Sequence, residues 1–163
     1  MNHKTIAKFD PFAFLTSGRI CGISVGTTRD ETRKILGIPQ HWQEGFDVDN
    51  SPIWEYDDMH TGDDLQIVFA PTQDIASMAL SISTESVVER PVVLSKCLQT
   101  LANAGIHVRE SQANHAHYLE FGDATATFLG VYFNDQGDEF ELTEPALRLL
   151  KVGNCGRLIS GTY

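Results

Sequence analysis

The chain has 163 residues, 42% apolar and 21% charged, which suits one soluble globular domain able to bury its own core. Its formal charge is -10, a field that repels nucleic acid and anionic membranes and draws basic partners in. The charge is uneven: residues 1–34 carry +3, residues 35–89 carry -11 without a single Lys or Arg, and residues 90–163 carry -2.

Cys21, Cys97 and Cys155 lie far apart with no metal-type spacing, and an odd number cannot close into a disulfide framework. No apolar run approaches the roughly 20 residues of a membrane span, and the N-terminus lacks a signal-like apolar stretch. A cytoplasmic location is therefore expected.

In chain order, "DPFAFLTSG" reads as a first helix, with Asp10 as cap, Pro11 at the first position and Gly18 as the exit. "VGTTRDETRKILGIP" is a second. Thr28 and Glu31 have capping-box spacing, Asp30 and Glu31 suit the positive end of the dipole, and Arg33 and Lys34 the negative end. Gly37 and Pro39 end it. With only Ile35 and Leu36 strongly apolar, it should lie over a core edge.

Residues 40–51 read as a loop. "PIWEYDD", "DLQIVFA" and "DIASMALSI" alternate as strands, with Trp54 and Tyr56 sharing a face, as do Leu65, Ile67 and Phe69. Short turns between them predict an antiparallel meander. "RPVVLSKCLQTLANAG" is a helix ended by Gly105, in which Cys97 reads as a core filler. "IHVRESQ", "HYLEF" and "ATATFLGVYFN" read as strands, the last closed by the turn "NDQGD". "EFEL" reads as a further strand, "TEPALRLLKVG" as a short helix capped by Thr143, and 153–163 as a loose tail.

The expected fold is one α+β domain: antiparallel sheet of about six to seven strands, helices on one side, and a divergent tandem repeat of a helix-plus-meander unit over about 10–84 and 91–152.

"GTTRDETRKILGIP", followed by Trp54-Glu55-Tyr56 and then a strand ending in Phe69, resembles the repeat of β-lactamase inhibitor proteins and of the small lipoprotein in the outer-membrane barrel-assembly machine. Those families open the repeat with Gly-Met-Thr, a short helix and Leu-Gly-x-Pro. The resemblance covers about residues 12–82. Thr27 stands where the usual Met would, and Thr32 where an apolar residue would. The helix, with the Ser-x-x-Trp-x-Tyr run at Ser51–Tyr56, is also similar to that of acidic bacterial immunity proteins that partner secreted toxins. The resemblance implies a non-enzymatic, protein-binding function without a cofactor.

The chemistry-bearing residues agree with that implication. His115 and His117 would face one side of a strand, but no third ligand stands at a persuasive spacing, so they read as polar residues at a strand start. "DDMHTGDD" lacks calcium-loop spacing and reads as an acidic hairpin. Nucleophile elbows and phosphate loops are absent from the sequence.

What remains is the acidic middle: Glu44, Asp47, Asp49, Glu55, Asp57, Asp58, Asp63 and Asp64, with Trp42 and Phe46 among them. Aromatic anchors beside steering carboxylates are what a docking face for a basic protein uses. The expected function is an immunity or inhibitor protein that covers the active cleft of a basic toxin, such as a nuclease. The alternative is a small-molecule- or metal-binding domain, or an enzyme, with its site between helix and sheet; His107, His115, His117 and Cys97 would be its first suspects.

Overall fold

The computed structural model describes residues 8–153. These form an α+β fold whose eight strands make one antiparallel sheet. Two helices, α1 (Pro11–Ser17) and α2 (Arg29–Leu36), precede four strands: β1 (His41–Trp42), β2 (Ile53–Asp57), β3 (Asp64–Phe69) and β4 (Ile75–Ser81). Two more helices, α3 (Thr84–Glu89) and α4 (Leu94–Asn103), precede β5 (Arg109–Ala113), β6 (Ala116–Phe121), β7 (Ala124–Phe133) and β8 (Glu139–Gly153). The spatial order β1-β2-β3-β4-β8-β7-β6-β5 joins two four-stranded meanders through β4 and β8.

Local signals at both early helices act as their residues dictate. The Asp10 carboxylate accepts from the N–H groups of Phe12 and Ala13, and Gly18 leaves α1 at φ 68°. Thr28 Oγ1 accepts from Glu31 N–H at 3.2 Å, and the Gly37 N–H donates back to Arg33 O. The α2 face turned to the core is polar, however. Thr32 is buried, its hydroxyl donating to Thr28 O at 2.8 Å, whereas Ile35 is exposed.

Arg29 is buried too. Its guanidinium carbon lies 4.2 Å from the Phe69 ring centre and 5.0 Å from that of Trp54, while its N–H groups donate to Gln73 Oε1 and Ser51 O. Stacking on two rings and two hydrogen bonds offset its desolvation.

The core is the space between the helices and one sheet face. Trp54 and Tyr56 from β2, Leu65 and Ile67 from β3, Met78 and Leu80 from β4, Leu150 from β8 and Phe128 from β7 bury there with Phe14 and Leu15 of α1 and Cys97 and Leu101 of α4. Trp54 and Phe69 meet edge to face at 4.8 Å, and the Trp54 indole N–H donates to Val48 O at 2.7 Å.

Three expectations are corrected. Residues 139–153 are one long strand, with no helix at "TEPALRLLKVG" and Gly153 as the strand's last residue. The pairing of β7 with β8 shifts between Val131↔Glu141 and Leu129↔Ala146, so residues 142–145 bulge opposite Gly130. Pro145, which has no N–H for a ladder, sits in that bulge. A second shift, Thr127↔Leu149 against Phe128↔Leu147, leaves Arg148 as an extra residue; it resets alternation and leaves Leu147 and Leu150 buried with Ala146, a spacing that imitates a helix.

Second, α3 was not anticipated; Ser83 caps it, accepting from Ser86 N–H at 3.1 Å. Third, His115 stands beside Asn114 in the two-residue β5–β6 turn, both at positive φ, so it does not share a strand face with His117. Residues 154–163, including Cys155, lie outside the described residues.

Candidate functional site

Strand parity distributes the acidic residues. Side chains alternate across a sheet, so with Trp54, Tyr56 and Leu65 turned inward, Glu55, Asp57 and Asp64 point to the opposite, open face. Register gathers them. Asp57 pairs with Asp64, Glu55 with Gln66, and His41 with Glu55. Gln66 Nε2 donates to Glu55 Oε1 at 3.1 Å, and His41 Nε2 lies 3.2 Å from Asp57 Oδ2.

Asp64 is the strained member of the trio. Partial burial, a hydrogen bond with Asp57 and the charges of Glu55 and Asp57 push its carboxyl up to about 7, with His41 acting the other way.

Asp58 and Asp63 do not belong to a docking face, which corrects the expectation for both. Parity turns them inward, and they are 1% and 4% exposed. Asp58 Oδ1 accepts from His60 N–H at 2.9 Å and Thr61 N–H at 3.2 Å, and its Oδ2 accepts from Phe9 N–H at 3.3 Å. Burial acts to raise this carboxyl, but those N–H groups and the Thr61 hydroxyl outweigh it and hold it below the usual carboxylate range. Asp63 Oδ1 accepts from Ser83 N–H at 2.8 Å, fixing the start of α3.

Glu44, Asp47 and Asp49 lie exposed in the β1–β2 loop with Trp42 and Phe46. The loop is held in shape. Trp42 Nε1 donates to Phe46 O at 3.0 Å, Asp47 accepts from Asn50, and Ser51 Oγ accepts from Gln43 N–H at 3.0 Å. Asp49 pairs with Arg33.

Because Trp42 is registered with Trp54, it stands on the helix side of the sheet, while the Glu55–Asp57–Asp64 trio stands on the open side. The two groups meet only at the β1 edge. Of the ten expected docking residues, Trp42, Glu44, Phe46, Asp47 and Asp49 lie on β1 and the loop after it, Glu55, Asp57 and Asp64 on the open face of β2 and β3, and Asp58 and Asp63 are buried.

The suspects for a small-molecule or metal site are not brought together. His107 precedes β5, His115 follows it, His117 is on β6, and Cys97 is buried in α4. Burial pushes the Cys97 thiol up to about 12, against an opposing effect of Lys96; burial and then Asp58 push Cys21 up to about 11. Both stay protonated near neutral pH. Among the described residues no group of three or more His, Cys, Asp or Glu is arranged to hold a metal ion, and no helix is long and apolar enough to cross a membrane.

A cavity of about 550 Å³ opens elsewhere, between the chain around Phe9 and Phe12, the β2–β3 turn and α3. Ile82 and Val92 line it together with the buried Asp58 and Asp63.

No family model matches the sequence, and no curated protein matches it. Among solved structures it is similar to the crystal structure of a DUF4309 family protein (YjgB) from Bacillus subtilis subsp. subtilis str. 168. The two are 9% identical, with 88% of this chain and 93% of that chain covered and a TM-score of 0.49, a likeness that carries no argument about function.

Proposed function

We propose that this protein is a non-enzymatic, cytoplasmic immunity or inhibitor protein that neutralises a basic bacterial toxin, such as a nuclease, by setting its acidic β1 edge into the toxin's active cleft. One observation carries the reading: Glu55, Asp57 and Asp64 gather on the open face of β2 and β3, and the adjoining β1–β2 loop exposes Glu44, Asp47 and Asp49, the last paired with Arg33, beside Trp42 and Phe46. An acidic edge complements a basic cleft. The carboxylates would stand where substrate phosphates stand and the rings would supply the buried anchor.

The test is capture from the native host with the wild-type chain and with Glu55→Lys/Asp57→Lys. A basic toxin domain retained by the first and lost by the second supports the reading. Equal retention, or a partner without basic character, overturns it.

A second reading, small-molecule binding, draws support from the 550 Å³ cavity at Phe9, Phe12, Ile82 and Val92. A compound that raises the melting temperature of the wild-type chain, and fails to do so for Val92→Glu, would favour it. Failure of a broad compound set to shift melting would remove it.

A further inference from the structure

The second half of the molecule carries an apolar surface that the acidic-edge reading leaves unused. β7 and β8 run past their neighbours. Pairing of β6 with β7 ends at Ala116↔Leu129 and pairing of β4 with β8 at Ser81↔Leu149, so Val131, Tyr132 and Phe133 pair only with 139–141. This two-stranded arm leans beside α3, and a groove of about 520 Å³ opens between them.

The groove floor is apolar. Tyr132 and Phe140, registered as a cross-strand pair, stack with ring centres 5.1 Å apart and planes within 13°. Val88 of α3 faces the same space. Val88 is 51% exposed and Phe140 42%, so these apolar groups remain open to water. The charged lining is of one sign: Glu85, Glu89 and Asp135 contribute carboxylates, and among the described residues no Lys or Arg lines the groove. Three strands, β2, β3 and β4, separate this region from the β1 edge.

We infer that the groove is a second docking site, which takes a basic amphipathic segment of a partner protein. An aliphatic or aromatic side chain of that segment seats between Val88 and the Tyr132–Phe140 pair, and its Lys or Arg side chains reach Glu85, Glu89 and Asp135. Charge chooses this occupant. A second copy of the chain, itself at -10, would set carboxylates against carboxylates, and an anionic lipid surface would meet the same repulsion. An apolar floor with a rim of one sign discriminates by requiring both features at once. The site stands or falls independently of the β1 edge.

The experiment uses the full 163-residue chain, isotope-labelled for NMR, and two synthetic probes of equal charge. One is a 12-residue peptide of alternating Lys and Leu, the other of alternating Lys and Ser. The Lys/Leu peptide is expected to shift resonances of residues 83–89 and 132–140 and to bind at least tenfold more tightly than the Lys/Ser peptide. Val88→Asp, at an exposed helix position that folding tolerates, is expected to erase that difference, and Glu89→Lys to weaken both peptides.

Equal affinity for the two peptides, or shifts confined to residues 41–66, overturns the proposal. Concentration-dependent dimerisation that Val88→Asp abolishes also overturns it, by assigning the groove to a second copy.

Discussion

Asp57 and Asp58 are adjacent in the chain, as are Asp63 and Asp64, yet the members of each pair live in different solvents. Asp57 and Asp64 face each other across β2 and β3 with Glu55 nearby, and partial burial, a hydrogen bond with Asp57 and the neighbouring charges push the Asp64 carboxyl up to about 7. Asp58 and Asp63, one residue further toward the turn, are buried and receive backbone N–H groups from Phe9, His60, Thr61 and Ser83. Strand parity sets the two pairs apart, and the N–H groups from neighbouring segments hold the inward pair. A run of like charge in a sequence is therefore not a measure of surface charge until each residue has been given a face.

The comparison breaks most visibly at Asp58. Asp58→Ala removes the acceptor for three N–H groups in a buried site and should cost about 3 kcal/mol, read from the urea midpoint. Asp57→Ala should stay within about 0.5 kcal/mol of wild type. Equal losses would mean that the two carboxylates do the same work.

Asp63→Ala ranks next. It strips the start of α3 of the acceptor for Ser83 N–H and takes away the charge that faces the half-buried Arg148, with an expected loss of about 2 kcal/mol.

The pH profile of stability sharpens the contrast, because the two carboxyls have opposite signs. Asp58 titrates below its unfolded value near 3.9, so its contribution is present above about pH 4 and fades as pH falls below it. Asp64 titrates above its unfolded value, so the folded chain holds an extra proton between about pH 4 and about 7 and stability declines as pH rises through that window. Urea midpoints should peak near pH 4 to 5, and Asp64→Asn should flatten the limb above the peak. A limb that survives in Asp64→Asn would place the repulsion elsewhere.

The smallest effect is expected from Glu55→Lys. It should leave the fold intact and raise stability by a few tenths of a kcal/mol, by relieving the repulsion at Asp57 and Asp64.

Much of the fold was legible because it was written in local chemistry. Asp10 with Pro11, Thr28 with Glu31, and the glycines at 18, 37 and 105 mark helix ends whatever the tertiary context. Alternation at 53–57 and 64–69 put Trp54 with Tyr56 on one face and Leu65, Ile67 and Phe69 on one face, but that these faces are the core is seen only in the fold. Long-range features stayed hidden. Nothing near Ala146 and Leu147 reveals the register shifts at 142–145 and at Arg148 that reset the period, so a strand reads as a helix. Arg29 sits on rings 25 and 40 residues away, and a charged residue in the first turn of a helix gives no sign of burial. The acidic belt was visible, but its division into exposed carboxylates and a buried turn needed Phe9 and Ser83, partners distant in sequence. The Val88, Tyr132 and Phe140 surface was missed because α3 itself was missed.

The most direct test of the acidic edge is the association rate of this protein with its captured partner across a salt series. Wild type is compared with Asp57→Lys/Asp64→Lys, which leaves the buried Asp58 and Asp63 in place. A docking edge gives at least a tenfold slower association for the variant at low salt, with the gap closing as ionic strength rises. Identical rates at every salt concentration would contradict it.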